Sequence, residues 1–151
     1  MDNGGLMIWD FMAQFENAVN IAPTRVLVLE DDLCLKTVVT GLFRSIEPNI
    51  IIDSSASSDP VLAALKADPR ALHQYDLIFA DIYLQGASTG LDLWHSCRLH
   101  CPNVHFLLTS TLSMEQLKPA VGEEGLRHTH FLPKPFPLEV CRATLEKLLR
   151  Y

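Results

Sequence analysis

Lys134 is enclosed by prolines in the stretch FLPKPF (131–136), just past a short apolar run. Each proline removes a backbone donor and restricts the residue before it, so the chain holds this ammonium in one place. Upstream, the run EDD (30–32) supplies Glu30, Asp31 and Asp32, Asp81 ends DLIFAD, and Thr109 ends VHFLLT. Carboxylates gathered within a few ångströms repel one another unless some are protonated or a cation joins them. Hard oxygen ligands beside open water suit Mg²⁺, which keeps several waters and needs few protein groups. With such a cation present, the Asp81 carboxylate can remain ionised and attack phosphorus. The three oxygens of a phosphoryl group would then meet the metal, the Lys134 ammonium and the Thr109 hydroxyl.

Such a site exists only if the fold gathers these residues. RVLVLE (25–30), NIIID (49–53), DLIFAD (76–81), VHFLLT (104–109) and HTHFL (128–132) are short apolar runs of the kind found in buried parallel strands. Between them lie helical patterns over 35–46, after the polar loop that opens 54–67, and over 90–101, 113–125 and 137–151. Asp59 is the predicted N-cap of the second of these helices, with Pro60 at its first position, and Pro119 is a predicted kink. Strict strand–helix alternation predicts an α/β domain with a parallel sheet covered on both faces. In such sheets ligands bind beyond the carboxyl ends of the strands, where Glu30, Asp31, Asp81, Thr109 and Lys134 all fall.

The full set resembles the receiver domain of two-component response regulators. VLVLEDD, DLIFADI, FLLTS and FLPKPF match, in order and spacing, that family's acidic pair, phosphoacceptor strand, hydroxyl residue and Lys–Pro, over roughly residues 24–150. The resemblance implies a flavodoxin-like, doubly wound sheet of order 2-1-3-4-5. It implies that Asp81 accepts a phosphoryl group from a histidine kinase or phosphotransfer protein. It further implies a Mg²⁺ site of Glu30, Asp31, Asp81 and the Tyr83 backbone carbonyl, and phosphoryl contacts from Thr109 and Lys134. Thr109 and Phe131 would form the switch, Lys134–Pro135 would be a cis bond, and helix four, strand five and helix five would carry the signal to a downstream protein.

Three features depart from the family pattern. Leu84-Gln85 stands where a Met-Pro pair is usual, and Gly90 arrives one residue late, so the loop after Asp81 should follow its own path. Phe131 lacks the hydroxyl of the usual tyrosine, and Ser110 replaces a smaller residue. The exposed or shielding role of the Tyr83 ring is open at this point.

The remaining features bound the function. With 151 residues the chain suits one receiver domain (24–151) preceded by an extension (1–23), where Ile8, Phe11, Met12, Phe15 and Val19 form an apolar stripe at helical spacing. That extra N-terminal helix would pack on its own domain or form a homodimer contact. The net charge of −6 argues against direct nucleic-acid binding. No apolar run approaches a membrane span and no basic signal-peptide start is present, which gives a cytoplasmic expectation. Cys97 and Cys101 share a helical face near several histidines, but no second ligand pair stands at a zinc spacing, so both are expected in the core. Since no output domain follows Tyr151 in this sequence, the expectation is a stand-alone receiver or a piece of a longer chain. Two rivals are a receiver-like interaction module that works without phosphorylation and a Mg²⁺-dependent phosphohydrolase with an Asp nucleophile. The hydrolase wants a second acid two residues after the nucleophile, where this chain has Tyr83.

Overall fold

A computed structural model describes residues 22–149. The apolar stripe of the extension, and with it the homodimer contact, lies outside the described residues. Five parallel strands form one sheet in the order β2-β1-β3-β4-β5: β1 (Arg25–Leu29), β2 (Ile51–Ser55), β3 (Leu77–Asp81), β4 (His105–Ser110) and β5 (His130–Pro133). The connections are α1 (Leu33–Ile46), α2 (Asp59–Ala67), α3 (Gly90–His100) and α4 (Met114–His128), and α5 (Leu138–Leu149) closes the described chain.

Alternation along each strand sends successive side chains to opposite faces. On one face Val26, Val28, Phe79, Leu107 and Leu132 pack with Val39 and Phe43 of α1 and with Cys141 and Leu145 of α5. On the other, Leu27, Leu29, Ile78, Ala80 and Leu108 pack with Leu65 of α2, Trp94 of α3 and Leu117 of α4. Central β3 is buried along its whole length, which is why it reads as an unbroken apolar run ending in a single acid. Cys97 and Cys101 belong to the second core layer. Cys97 is pushed up in pKa by its hydrogen bond with Cys101 and by burial, as expected of an inert core thiol.

Several element ends differ from the sequence expectation. Ser58, not Asp59, takes the cap position of α2, and Asp59 is the first helical residue. The break in α4 falls at Gly122, with φ 71°, rather than at Pro119, and the helix continues to His128. Consequently β5 begins at His130. Strand β2 extends to Ser55, beyond the apolar run, because an edge strand has only one paired side and tolerates polar residues.

Away from the carboxyl edge, Asp53 ties β1 and β2 to the segment before β3. Its Oδ2 accepts from Tyr75 Oη at 2.7 Å and from Arg25 Nε at 2.9 Å, and the Arg25 guanidinium lies over the Tyr75 ring. The Tyr75 hydroxyl bond, followed by the Arg25 contacts, holds the Asp53 carboxyl below its usual range, while burial and Asp53 push Tyr75 up to about 12. More than a third of each partner of the ion pair is exposed, so the Tyr75 hydroxyl bond carries the larger share. Tyr75→Phe is expected to lose about 0.5–1.5 kcal/mol at neutral pH. A depressed carboxyl stabilises above its unfolded value of 3.8 and stops doing so as the pH falls through the folded value, so the loss should shrink in acid. Urea unfolding of both proteins at neutral and acid pH measures this.

Candidate functional site

Glu30 follows β1, Asp81 ends β3, Thr109 lies near the end of β4, and Lys134 follows β5, so all arrive at the carboxyl edge of the sheet. Parallel register aligns Asp81 with Thr109 and Thr109 with Leu132. Around them, Ile82 N–H donates to the Thr109 carbonyl at 3.0 Å and Lys134 N–H to the Ser110 carbonyl at 2.8 Å. The Lys134–Pro135 bond is cis.

The Lys134 ammonium donates to Asp81 Oδ2 at 2.6 Å and to Glu30 Oε2 at 3.0 Å. Glu30 is fully buried and its other oxygen accepts from Asp32 N–H at 3.0 Å. Burial raises the Glu30 pKa, against the pull of the Asp32 amide and Lys134. For Lys134, burial acts downward, but the hydrogen bonds and charges of Asp81 and Glu30 together outweigh it and raise the pKa. Asp32 itself caps α1 by accepting from Leu35 N–H at 3.0 Å, which sets it apart from the cluster.

Glu30, Asp31 and Asp81 each offer a carboxylate oxygen within 4.8 Å of the others, and they are the only such group among the described residues. Three gathered acids, two of them paired with the one ammonium, leave an excess of negative charge, and the hard oxygen donors fit a divalent cation such as magnesium. A second feature points toward an anion. Thr109 Oγ1 is completely buried and has no hydrogen-bond partner among the described residues. A buried hydroxyl without a partner is costly, and a phosphoryl oxygen on Asp81 would supply one.

Of the other residues singled out, Tyr83 donates its N–H to Asp81 Oδ1 at 3.2 Å while its side chain is 56% exposed. Phe131 is half-buried against the core layer beneath α2, α3 and α4. Ser110 is buried, its hydroxyl accepting from Leu112 N–H at 3.2 Å.

Among solved structures, the chain resembles the chemotaxis response regulator CheY4 of Vibrio cholerae, with 19% identity and a TM-score of 0.64 over 85% of this chain and 100% of that one. A two-component response regulator from Clostridium difficile gives 22% identity and a TM-score of 0.63, covering 84% and 96%. The BeF3-activated receiver domain of DrrB gives 16% and 0.66, covering 85% and 99%. The chain has the receiver fold. No protein-family model and no curated protein matches it by sequence.

Within this receiver fold, the loop from Tyr83 to Thr89 is where sequence reasoning missed the most. Gly90, the late glycine, donates its N–H to the Ile82 carbonyl at 2.9 Å and sits so close to the Asp81 carbonyl that a Cβ there would collide with it. The start of α3 is thereby seated on the acid's own backbone. Asp59, Ser58 and Ser88 hold the rest of the loop. The one sequence signal for them is the facing pair of small polar runs, SSASSD (54–59) and GASTG (86–90).

Proposed function

We propose that Asp81 accepts a phosphoryl group from the phosphohistidine of a histidine kinase or phosphotransfer protein, and that the modified protein signals through the face made by α4, β5 and α5. The observation that carries this is Lys134 Nζ at 2.6 Å from Asp81 Oδ2, within a cluster of three acids and beside the unpartnered Thr109 hydroxyl. An Asp81 carboxylate oxygen forms the new bond to phosphorus as the bond to the imidazole nitrogen breaks, and the leaving imidazole takes up a proton from water. Lys134 already bridges Asp81 and Glu30, so it can turn to a phosphoryl oxygen while keeping Glu30 as its anchor. A magnesium ion, held by Glu30, Asp31, Asp81 and the Tyr83 carbonyl, would supply the remaining positive charge. Thr109 would donate its hydroxyl to a third oxygen.

The phosphoryl group adds roughly −1.5 to −2 of charge at one edge of the sheet. Pulling Thr109 toward it would disturb the end of β4 and allow the half-buried Phe131 to change position, biasing the neighbouring face. Since Tyr83 occupies the place of a hydrolase's second acid, we read the protein as a phosphoryl carrier rather than an enzyme that turns over. No helix among the described residues is long and apolar enough to cross a membrane, which is compatible with a cytoplasmic signalling partner.

Incubation with acetyl phosphate and magnesium, followed by intact-mass measurement, tests the reading. Wild type should gain one phosphoryl group and Asp81→Asn none. Wild type that gains nothing would leave the phosphorylation-independent interaction module, and steady hydrolysis of a phosphomonoester would favour the phosphohydrolase.

A further inference from the structure

The loop that leaves Asp81 returns to it. Tyr83 N–H donates to the Asp81 carboxylate, and Gly90 packs on the Asp81 carbonyl after donating to Ile82. Compact surface loops with their ends close together are normally packed by their own side chains. Here the middle is held from outside, by the segment that enters α2. Gln85 N–H donates to the Ala56 carbonyl at 3.3 Å, and Ser57 and Gln85 form a parallel bridge. The Asp59 carboxylate accepts from Ala87 N–H at 3.0 Å and Ser88 N–H at 2.9 Å, and also from the Ser88 hydroxyl. Buried Ser58 completes the tie, its hydroxyl 2.8 Å from Ser88 Oγ and donating to the Thr89 carbonyl at 3.0 Å.

We infer that Asp59 is a positioning residue for the phosphoacceptor site, clamping the loop so that the Tyr83 carbonyl and the α3 N-terminus are fixed against Asp81. This rests on the phosphoacceptor reading above. Three donors converge on one carboxylate, and these bonds lower the Asp59 pKa, Ser88 contributing most. Gly86 shows that the loop is built around this acid. Its φ is 96°, and a Cβ there would run into the Asp59 carboxylate and lie 2.7 Å from Ser57 Oγ. The clamp stands where this chain departs from the receiver pattern, with Leu84-Gln85 and a late glycine. Its own loop path thus has its own support. Groups that orient a metal's ligands typically change its affinity by about 10–100-fold when removed.

Two variants approach the clamp from opposite sides. Asp59→Ala removes the acceptor, and Gly86→Ala pushes against it. Both are expected to lose hydrogen-exchange protection at the Ala87 and Ser88 amides in the metal-free protein, and to bind Mg²⁺ about 10–100-fold more weakly by calorimetric titration. Asp59→Asn, which keeps one carbonyl oxygen, should fall between. Tyr75→Phe, destabilising but remote from the loop, should bind Mg²⁺ like wild type. Lost amide protection with unchanged Mg²⁺ affinity and phosphoryl uptake would reduce Asp59 to a structural tie and overturn the inference, as would unchanged protection. If wild type itself neither binds Mg²⁺ nor takes up phosphate, the functional reading falls and the positioning role with it, while the amide exchange still reports whether the clamp exists.

Discussion

Replacing Lys134 with alanine is expected to destabilise the metal-free protein by about 3–5 kcal/mol at neutral pH, the usual consequence of removing one partner from a buried charge pair. The acids are the buried side of this triad: the Glu30 and Asp81 side chains are 0% and 10% exposed, and the half-buried Lys134 is 17% exposed. What matters more is how the difference varies with pH. In wild type, burial already holds Glu30 above 4.5, with Lys134 among the groups opposing it. Without the ammonium, burial and the Asp81 charge act on Glu30 with less opposition, and its carboxyl moves further up. An acid whose folded pKa is raised is tolerated in its protonated form, and stability drains away as the pH rises from the unfolded value through the folded one. The variant's deficit should therefore be small in acid and grow toward neutrality. At the alkaline end the wild type loses its advantage instead. Lys134 has a raised pKa, so its contribution is complete below 10.5 and disappears as the pH climbs through the higher folded value. The stability difference between the two proteins should form a hump across the pH range. Magnesium, binding only the native cluster, should return part of the loss in the variant. Urea unfolding at a series of pH values, with and without MgCl₂, reads all of this, and a difference that is flat with pH would show that Lys134 is not the counter-charge of Glu30 and Asp81.

The residues around that ammonium were legible in the sequence because each follows or ends a strand buried on both faces. Such strands stand out as apolar runs, and the first polar residue past the run must lie at the sheet edge. Asp81 after LIFA and Thr109 after HFLL are the plainest cases. Lys134 was legible through its flanking prolines. The clamp was not. Asp59 precedes a proline at the start of a helical pattern, which is the ordinary setting of an N-cap, and its true partners lie 28 and 29 residues away in a loop with no periodicity. Local pattern cannot reveal a contact between two irregular segments. The end of α4 was obscured for a related reason: Gly125, where the helical pattern was expected to stop, is buried inside the helix against the Trp94 ring, and the chain runs on to His128. Tertiary context overrides propensity there.

Thr109→Val should make the unphosphorylated protein more stable while impairing its response. The hydroxyl is fully buried and without a hydrogen-bond partner among the described residues, a situation that costs about 1–3 kcal/mol for a polar group. Valine keeps the branched shape that packs between β3 and β5 and removes the unpartnered oxygen, so most of that penalty should be recovered. For a chain of this size each kcal/mol corresponds to roughly 2–4 °C in melting temperature. The gain reverses once a phosphoryl group stands on Asp81, because the hydroxyl would then have an acceptor and valine offers it nothing. A residue selected only for packing would show no such change of sign. Beryllofluoride, which mimics the phosphoryl group on an aspartate, gives the readout without a kinase. Wild type should show amide shifts spread over residues 109–149 when it is added with magnesium, whereas Thr109→Val should confine them to the neighbourhood of Asp81. Should the variant melt no higher than wild type and still propagate the full set of shifts, the hydroxyl would be neither strained at rest nor needed for the response.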